Sequence, residues 1–157
     1  MTAETKPASV GVEGNDRIKF LTAVPAAAAD WDAGTDVTYS FTPDGWNPTR
    51  DQATVTDDRL SAAQTFEQPG KVTASLTVKY VDSTTGATAS LVQGTAGYIG
   101  VRSKVLNATA GAVSQKVEIW PVICGIQSHD APVANGVFTI SQKLFVTGDV
   151  TQVTLTA

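Results

Sequence analysis

Cysteine, histidine and charge are the scarce commodities in this chain of 157 residues. There is one cysteine, Cys124, so no intrachain disulfide can form. That fits a reducing compartment and argues against a secreted immunoglobulin-type domain. Cys124 follows Val122 and Ile123 in an apolar run and reads as a small buried hydrophobe rather than a nucleophile. There is one histidine, His129. It stands beside Ser128 and Asp130, but triad members are assembled across a fold, not in a row. One His and one Cys cannot build the usual zinc site, and the acids lack calcium-loop spacing. No phosphate-binding glycine motif is present; Gly94-Thr95-Ala96-Gly97 is too short and lacks the lysine. No cofactor and no metal are expected, and an enzyme is not.

Apolar runs are short. Val24–Ala29 and Ile119–Ile126 are far below the length that spans a bilayer. Met1 to Gly14 carries no secretory pattern, so no leader is expected. Asn107-Ala108-Thr109 matches a glycosylation pattern by chance. Charged residues make up 17% of the chain, below the roughly 25% usual for soluble domains. A chain so poor in surface charge often hides surface against partners. The net charge of −4 excludes a nucleic-acid clamp, which needs a basic stripe. Eight acids fall between Asp30 and Glu67 against Arg50 and Arg59, while the rest has seven acids against nine bases. The ordinary reading of that stretch is a solvated acidic loop.

What is present is Thr, Ala and Val. β-branched side chains favour pleated surfaces, and this length makes one domain with an adequate core. Residues 1–16 read as an arm. Arg17–Val24 and Val37–Phe41 alternate as strands, with Pro25–Ala29 a connector that starts a helical turn. Thr42–Gly70 has no clear periodicity and contains Pro43, Gly45, Pro48, Pro69 and Gly70, so it reads as a long loop with a short strand at Ala53–Thr56. Trp46 within it either folds back on its own domain or anchors a subunit contact. Asp57-Asp58-Arg59 reads as a solvated or salt-bridged turn.

Lys71–Val81 is the clearest strand. Val72, Ala74, Leu76, Val78 and Tyr80 share one face, and Thr73, Ser75, Thr77 and Lys79 the other. One wet and one apolar face describes an antiparallel strand. A turn at Asp82–Gly86 leads to a short helix, Ala87–Gln93, ended by Gly94. Further strands are expected over Tyr98–Val105, Ser114–Ile126, Gly136–Val150 and Gln152–Thr156, with turns at Asn107–Ala112 and Gly148-Asp149 and a loop at Gln127–Asn135. Pro121 marks an edge or a bulge. The expected architecture is mostly β: a β-sandwich or partly closed barrel of about seven strands, with one short flanking helix and a long loop.

Four segments together carry a resemblance: Thr56–Gln64, Phe66–Gly70 running into the long strand, Leu91–Tyr98 and Lys143–Val150. In this order the chain resembles the major tail tube proteins of long-tailed, siphovirus-type phages of actinobacteria, from about Tyr39 to the C-terminus. That family is similar in fold to the tube proteins of type VI secretion. The resemblance implies a β-sandwich with a flanking helix, hexameric rings whose inner strands join into one barrel, and head-to-tail stacking. It implies an acidic channel through which DNA passes without specific binding, in a virion tail assembled in the host cytoplasm. The implied partners are further copies of the chain, a tape measure protein, and distal tail and tail terminator proteins. On that reading the 42–70 segment is the stacking element, with Asp44, Trp46, Asn47, Arg50, Asp57, Asp58 and Arg59 as contact candidates. Thr73, Ser75, Thr77 and Lys79 are channel candidates, with Asp82 a candidate to offset Lys79. The competing readings are a monomeric β-sandwich binding or adhesion module, and a capsid decoration or other virion protein.

Overall fold

The structure, a computed structural model, describes residues 8–12 and 14–157. The strands, all paired antiparallel, are β1 (Asp16–Leu21), β2 (Thr35–Asp36), β3 (Phe41–Asp57), β4 (Phe66–Val81), β5 (Ala96–Ser103), β6 (Lys116–His129), β7 (Thr139–Val146) and β8 (Thr151–Thr154). Two short helices, α1 (Ala28–Asp32) and α2 (Ala87–Ser90), and a 3-10 turn (Thr38–Ser40) complete the elements. The sheet runs β2-β1-β5-β6-β7-β4-β3 and is not closed, with β8 added on β6.

β6 organises this sheet. One margin pairs β5 over Glu118–Ile123; the other pairs β8 over Lys116–Ile119 and β7 from Val122 onward. Pro121 lies in a central strand, not at an edge, and the register break in β6 falls later, between Cys124 and Gln127. Its carbonyl accepts from the Thr147 N–H at 2.9 Å, so its missing N–H faces the gap where β8 gives way to β7. The bulge after Cys124 inserts one residue, so Cys124 and Gln127 both point inward and Ser128 points out.

The main core gathers Ile18, Phe20, Leu76, Val78, Tyr80, Leu91, Ile99, Trp120, Val122, Cys124, Ile140 and Leu144 on one face of the sheet. A smaller core of Leu21, Trp31, Val117, Ile119 and Leu155 lies under α1. α1 is short but well tied: Asp30 Oδ2 accepts from the Ala26 and Ala27 N–H groups (3.2 and 3.0 Å), and buried Lys19 donates to the Trp31 carbonyl at its other end (3.0 Å). α2 is held by the half-buried Gln127 and the buried Gln142. Gln127 Nε2 donates to the carbonyls of Thr88 (3.2 Å) and Leu91 (3.1 Å), and Gln142 Nε2 donates to Leu91 (2.8 Å) and Gly125 (2.9 Å).

Several expectations are corrected. The 42–70 stretch is not a loop: β3 and β4 form a long hairpin turning at 58–65. Its pattern is unreadable because most of both faces is exposed, so nothing selects alternation. Val37–Phe41 is not a strand. Asp36 Oδ1 accepts from the Thr38 N–H (3.0 Å) and hydroxyl (2.7 Å), which bends the chain into the 3-10 turn. The connector after Pro25 holds a helix, and α2 is shorter than expected. β6 runs on to His129, where a loop was expected. Of the expected N-terminal arm, residues 1–7 and 13 lie outside the described residues. Gly14 and Asn15 lie on the body, their carbonyls accepting from Asn107 (3.0 Å) and Lys104 (2.8 Å).

Candidate assembly surfaces

β7 covers β4 only from Leu76 to Val81. Before that point β4 pairs β3 alone, so the hairpin leaves the body as a two-stranded arm. From Phe66 to Ser75 the overhang is about 30 Å at a strand rise of roughly 3.3 Å per residue. A compact domain of about 130 residues is about 36 Å across, so the arm projects by nearly the width of its own body. A free two-stranded ribbon is marginally stable in water. Its exposed margins are unpaired N–H and C=O groups, and β3 pairs nothing on its outer side among the described residues.

The contact candidates divide between the root and the tip of this arm. At the root, three extra residues bulge between Phe41 and Trp46, opposite Lys79. There Asp44 accepts from the Thr42 hydroxyl (2.8 Å) and Asn47 Nδ2 donates to the Asp44 carbonyl (2.8 Å). The Thr42 hydrogen bond and nearby Lys79 hold the Asp44 carboxyl below the usual range. Trp46 turns back, packing edge-on against Phe41 and Trp120 at 6.1 and 6.4 Å. Arg50 stands exposed mid-arm opposite Ala74. At the tip, Arg59 forms a two-pronged pair with Asp57 (2.9 and 3.0 Å), and Asp58 accepts from the Thr65 hydroxyl (2.7 Å). These residues rigidify the arm's two ends rather than forming one cluster.

Thr73, Ser75, Thr77 and Lys79 share one face with their cross-strand partners Asp51, Thr49, Asn47, Lys143 and Ser141. The open face continues over β7 and the end of β6 through Phe145, Ile123 and Ser128. The result is a four-strand open surface, β3-β4-β7-β6, polar apart from the Phe145–Ile123 pair. From Gly125 to His129 β6 is paired by β7 alone, so this surface has an unpaired margin at either side. Lys79 is offset by Asp44 and Asp130. Asp82 sits 3.4 Å from His129 Nδ1. Asp130 accepts from the hydroxyls of Thr139 (2.8 Å) and Ser141 (2.8 Å), which hold its carboxyl below the usual range. Sequence reasoning passed over Asp130, whose partners come from the next strand.

The rest of the surface carries little chemistry. Burial pushes the Cys124 thiol up to about 11, so it is not a thiolate at neutral pH. Asp130 turns to Thr139 and Ser141, away from a role beside His129. No group of three metal-ligating side chains occurs among the described residues, and no helix there is long and apolar enough to cross a membrane. Trp31 and Trp120 are buried and so offer no exposed aromatic platform.

No curated protein matches the chain. Among solved structures, one chain of the cryo-EM structure of the anti-feeding prophage (AFP) baseplate, 6-fold symmetrised, shares the fold. It aligns with a TM-score of 0.61 and 10% identity, covering 96% of this chain and 100% of that one. The family model described as phage tail tube protein matches residues 4–157. With its body, arm and open polar sheet all inside that match, the chain belongs to the phage tail tube protein family.

Proposed function

We propose that this protein is the repeating subunit of a siphovirus-type tail tube, built from hexameric rings stacked around a channel that conducts DNA. The carrying observation is the open polar sheet β3-β4-β7-β6, with an unpaired margin on each side and an arm standing off one end. In this reading the outer margin of β3 pairs with the 125–129 margin of β6 in the neighbouring copy. Backbone bonding around the ring then removes the edges that a single chain leaves exposed. The six-fold symmetry of the AFP baseplate supports a ring of six.

The polar face then lines the channel. It presents hydroxyls from Thr73, Ser75 and Thr77, and the mixed charges Asp51, Lys79 and Lys143, with Asp44 and Asp130 beside Lys79. These are three acids against two bases, a mildly acidic wall in line with what the resemblance implies. It holds no basic stripe to grip phosphates, so DNA slides past. The arm reaches the adjacent ring. In this reading tape measure, distal tail and terminator proteins are the further partners, in a virion tail assembled in the host cytoplasm of an actinobacterium.

Electron microscopy of concentrated protein tests the proposal, with rings or hollow tubes expected. The second arm of the experiment replaces Arg50–Ala74 by Asn-Gly, a two-residue turn that joins the facing pair Thr49 and Ser75. This leaves Trp46 and every buried core residue in place and removes only Ala74 from the core's rim, so a folded subunit that cannot stack is expected. Parent protein that stays monomeric at every concentration and salt contradicts the tube; tubes formed by the armless variant contradict the role of the arm.

A further inference from the structure

We propose that residues 130–138, the loop between β6 and β7, are the seat that receives the β3–β4 arm of the next copy. The inference rests on the stacking reading above and supplies the half of the contact that reading leaves open.

Strand register sets the geometry. β4 runs from Phe66, at the free end of the arm, to Val81, and β7 pairs it so that Leu76 faces Leu144 and Val81 faces Thr139. The 130–138 loop therefore leaves the sheet at the end opposite the arm. A second copy translated along the strand direction brings its loop end against the first copy's arm.

Both ends hold apolar side chains out in water. On the arm Leu60 is fully exposed, and Val55 and Phe66 are about half exposed on rungs two apart in the ladder. On the loop Val133, Val137 and Phe138 are 74%, 64% and 67% exposed. The loop is shaped rather than loose. Its base is closed by Asp130 N–H to the Thr139 carbonyl (3.0 Å) and Asp82 N–H to the Phe138 carbonyl (2.9 Å). Its tip is turned by Gly136 N–H to Val133 (3.0 Å), beside Asn135 at φ 63°.

Most of the carboxylates at both ends are already engaged: Asp57 by Arg59 and Asp58 by Thr65 on the arm, Asp130 by Thr139 and Ser141 beside the loop. Glu67 stands exposed beside Phe66 at the arm tip. Size divides the contact. The two faces of a ribbon about 30 Å long and about 10 Å wide offer about 600 Å². The 130–138 loop takes the apolar tip, and the body beside the loop supplies the rest of the roughly 1,200 Å² of a stable interface. Different patches at opposite ends make a head-to-tail contact, which propagates without closing.

Two variants test this. The arm variant carries Leu60→Asp and Phe66→Asp; the loop variant carries Val137→Asp and Phe138→Asp. All four positions are exposed, so both should fold, which circular dichroism checks. Neither variant alone should stack. An equal mixture retains one intact arm and one intact loop, so it should form a finite particle of one ring of each, seen by sedimentation and electron microscopy. A loop variant that makes tubes like the parent overturns the seat and leaves the tube reading standing. Two inactive variants whose mixture gives no joint particle also overturn the pairing. Tubes from the arm variant remove the arm from stacking altogether, and a parent that never assembles removes the tube reading with it.

Discussion

Gln142 spends its whole amide inside the protein. Its Oε1 accepts from the Tyr80 hydroxyl (2.9 Å), while Nε2 serves the carbonyls of Leu91 and Gly125. Replacing it by Leu keeps the volume roughly constant but strands the Gly125 carbonyl in the core. An orphaned buried group costs roughly 1–3 kcal/mol, so Gln142→Leu should lose about that much in urea unfolding. Asp36 gives a pH-dependent counterpart. Burial pulls its carboxyl upward, yet the two hydrogen bonds from Thr38 and the Arg17 guanidinium at 2.6 Å outweigh that and leave it below the ordinary value. A depressed folded-state pKa contributes stability above the unfolded value near 3.9 and loses it as pH falls through the folded one. Thermal midpoints should therefore fall less steeply on acidification in Asp36→Asn than in the parent; identical slopes would show the pairing is inert.

Elements show why part of the sequence was legible. In the body-bound half of β4, Leu76, Val78 and Tyr80 enter the core while Thr77 stands in water, and this contrast writes itself as alternation. β3 has no such contrast beyond Trp46, and its prolines imitate a loop, so the longest strand escaped notice and with it the arm. The channel candidates on β4 were readable because they alternate with core residues. Their neighbours Ser141 and Lys143 come from a strand more than sixty positions away, a pairing no local pattern carries. The bulge at the root of the arm depends on Gly45, where an added Cβ would lie 2.0 Å from the Lys79 carbonyl oxygen. Gly45→Ala should shift Trp46 off Trp120 and cost about 2 kcal/mol, with a changed near-ultraviolet spectrum reporting the tryptophan movement.

At the scale of the whole molecule, each copy carries a net charge of −4. Stacking brings these like charges together, and salt shortens their reach from about 20 Å at about 0.02 M to about 4 Å at about 0.5 M. The concentration at which tubes first sediment should fall several-fold over that range; a threshold indifferent to salt would mean that local pairing, not net charge, governs approach. The arm adds a separate consequence. The core strands can trade their amide protons for solvent only when the body opens, whereas an arm wet on both faces trades them almost freely. Once a neighbour covers it, the same twenty or so amides must wait for a subunit to let go. Each copy thus carries, in the exchange rate of a single hairpin, a clock that tells whether it is alone or built in.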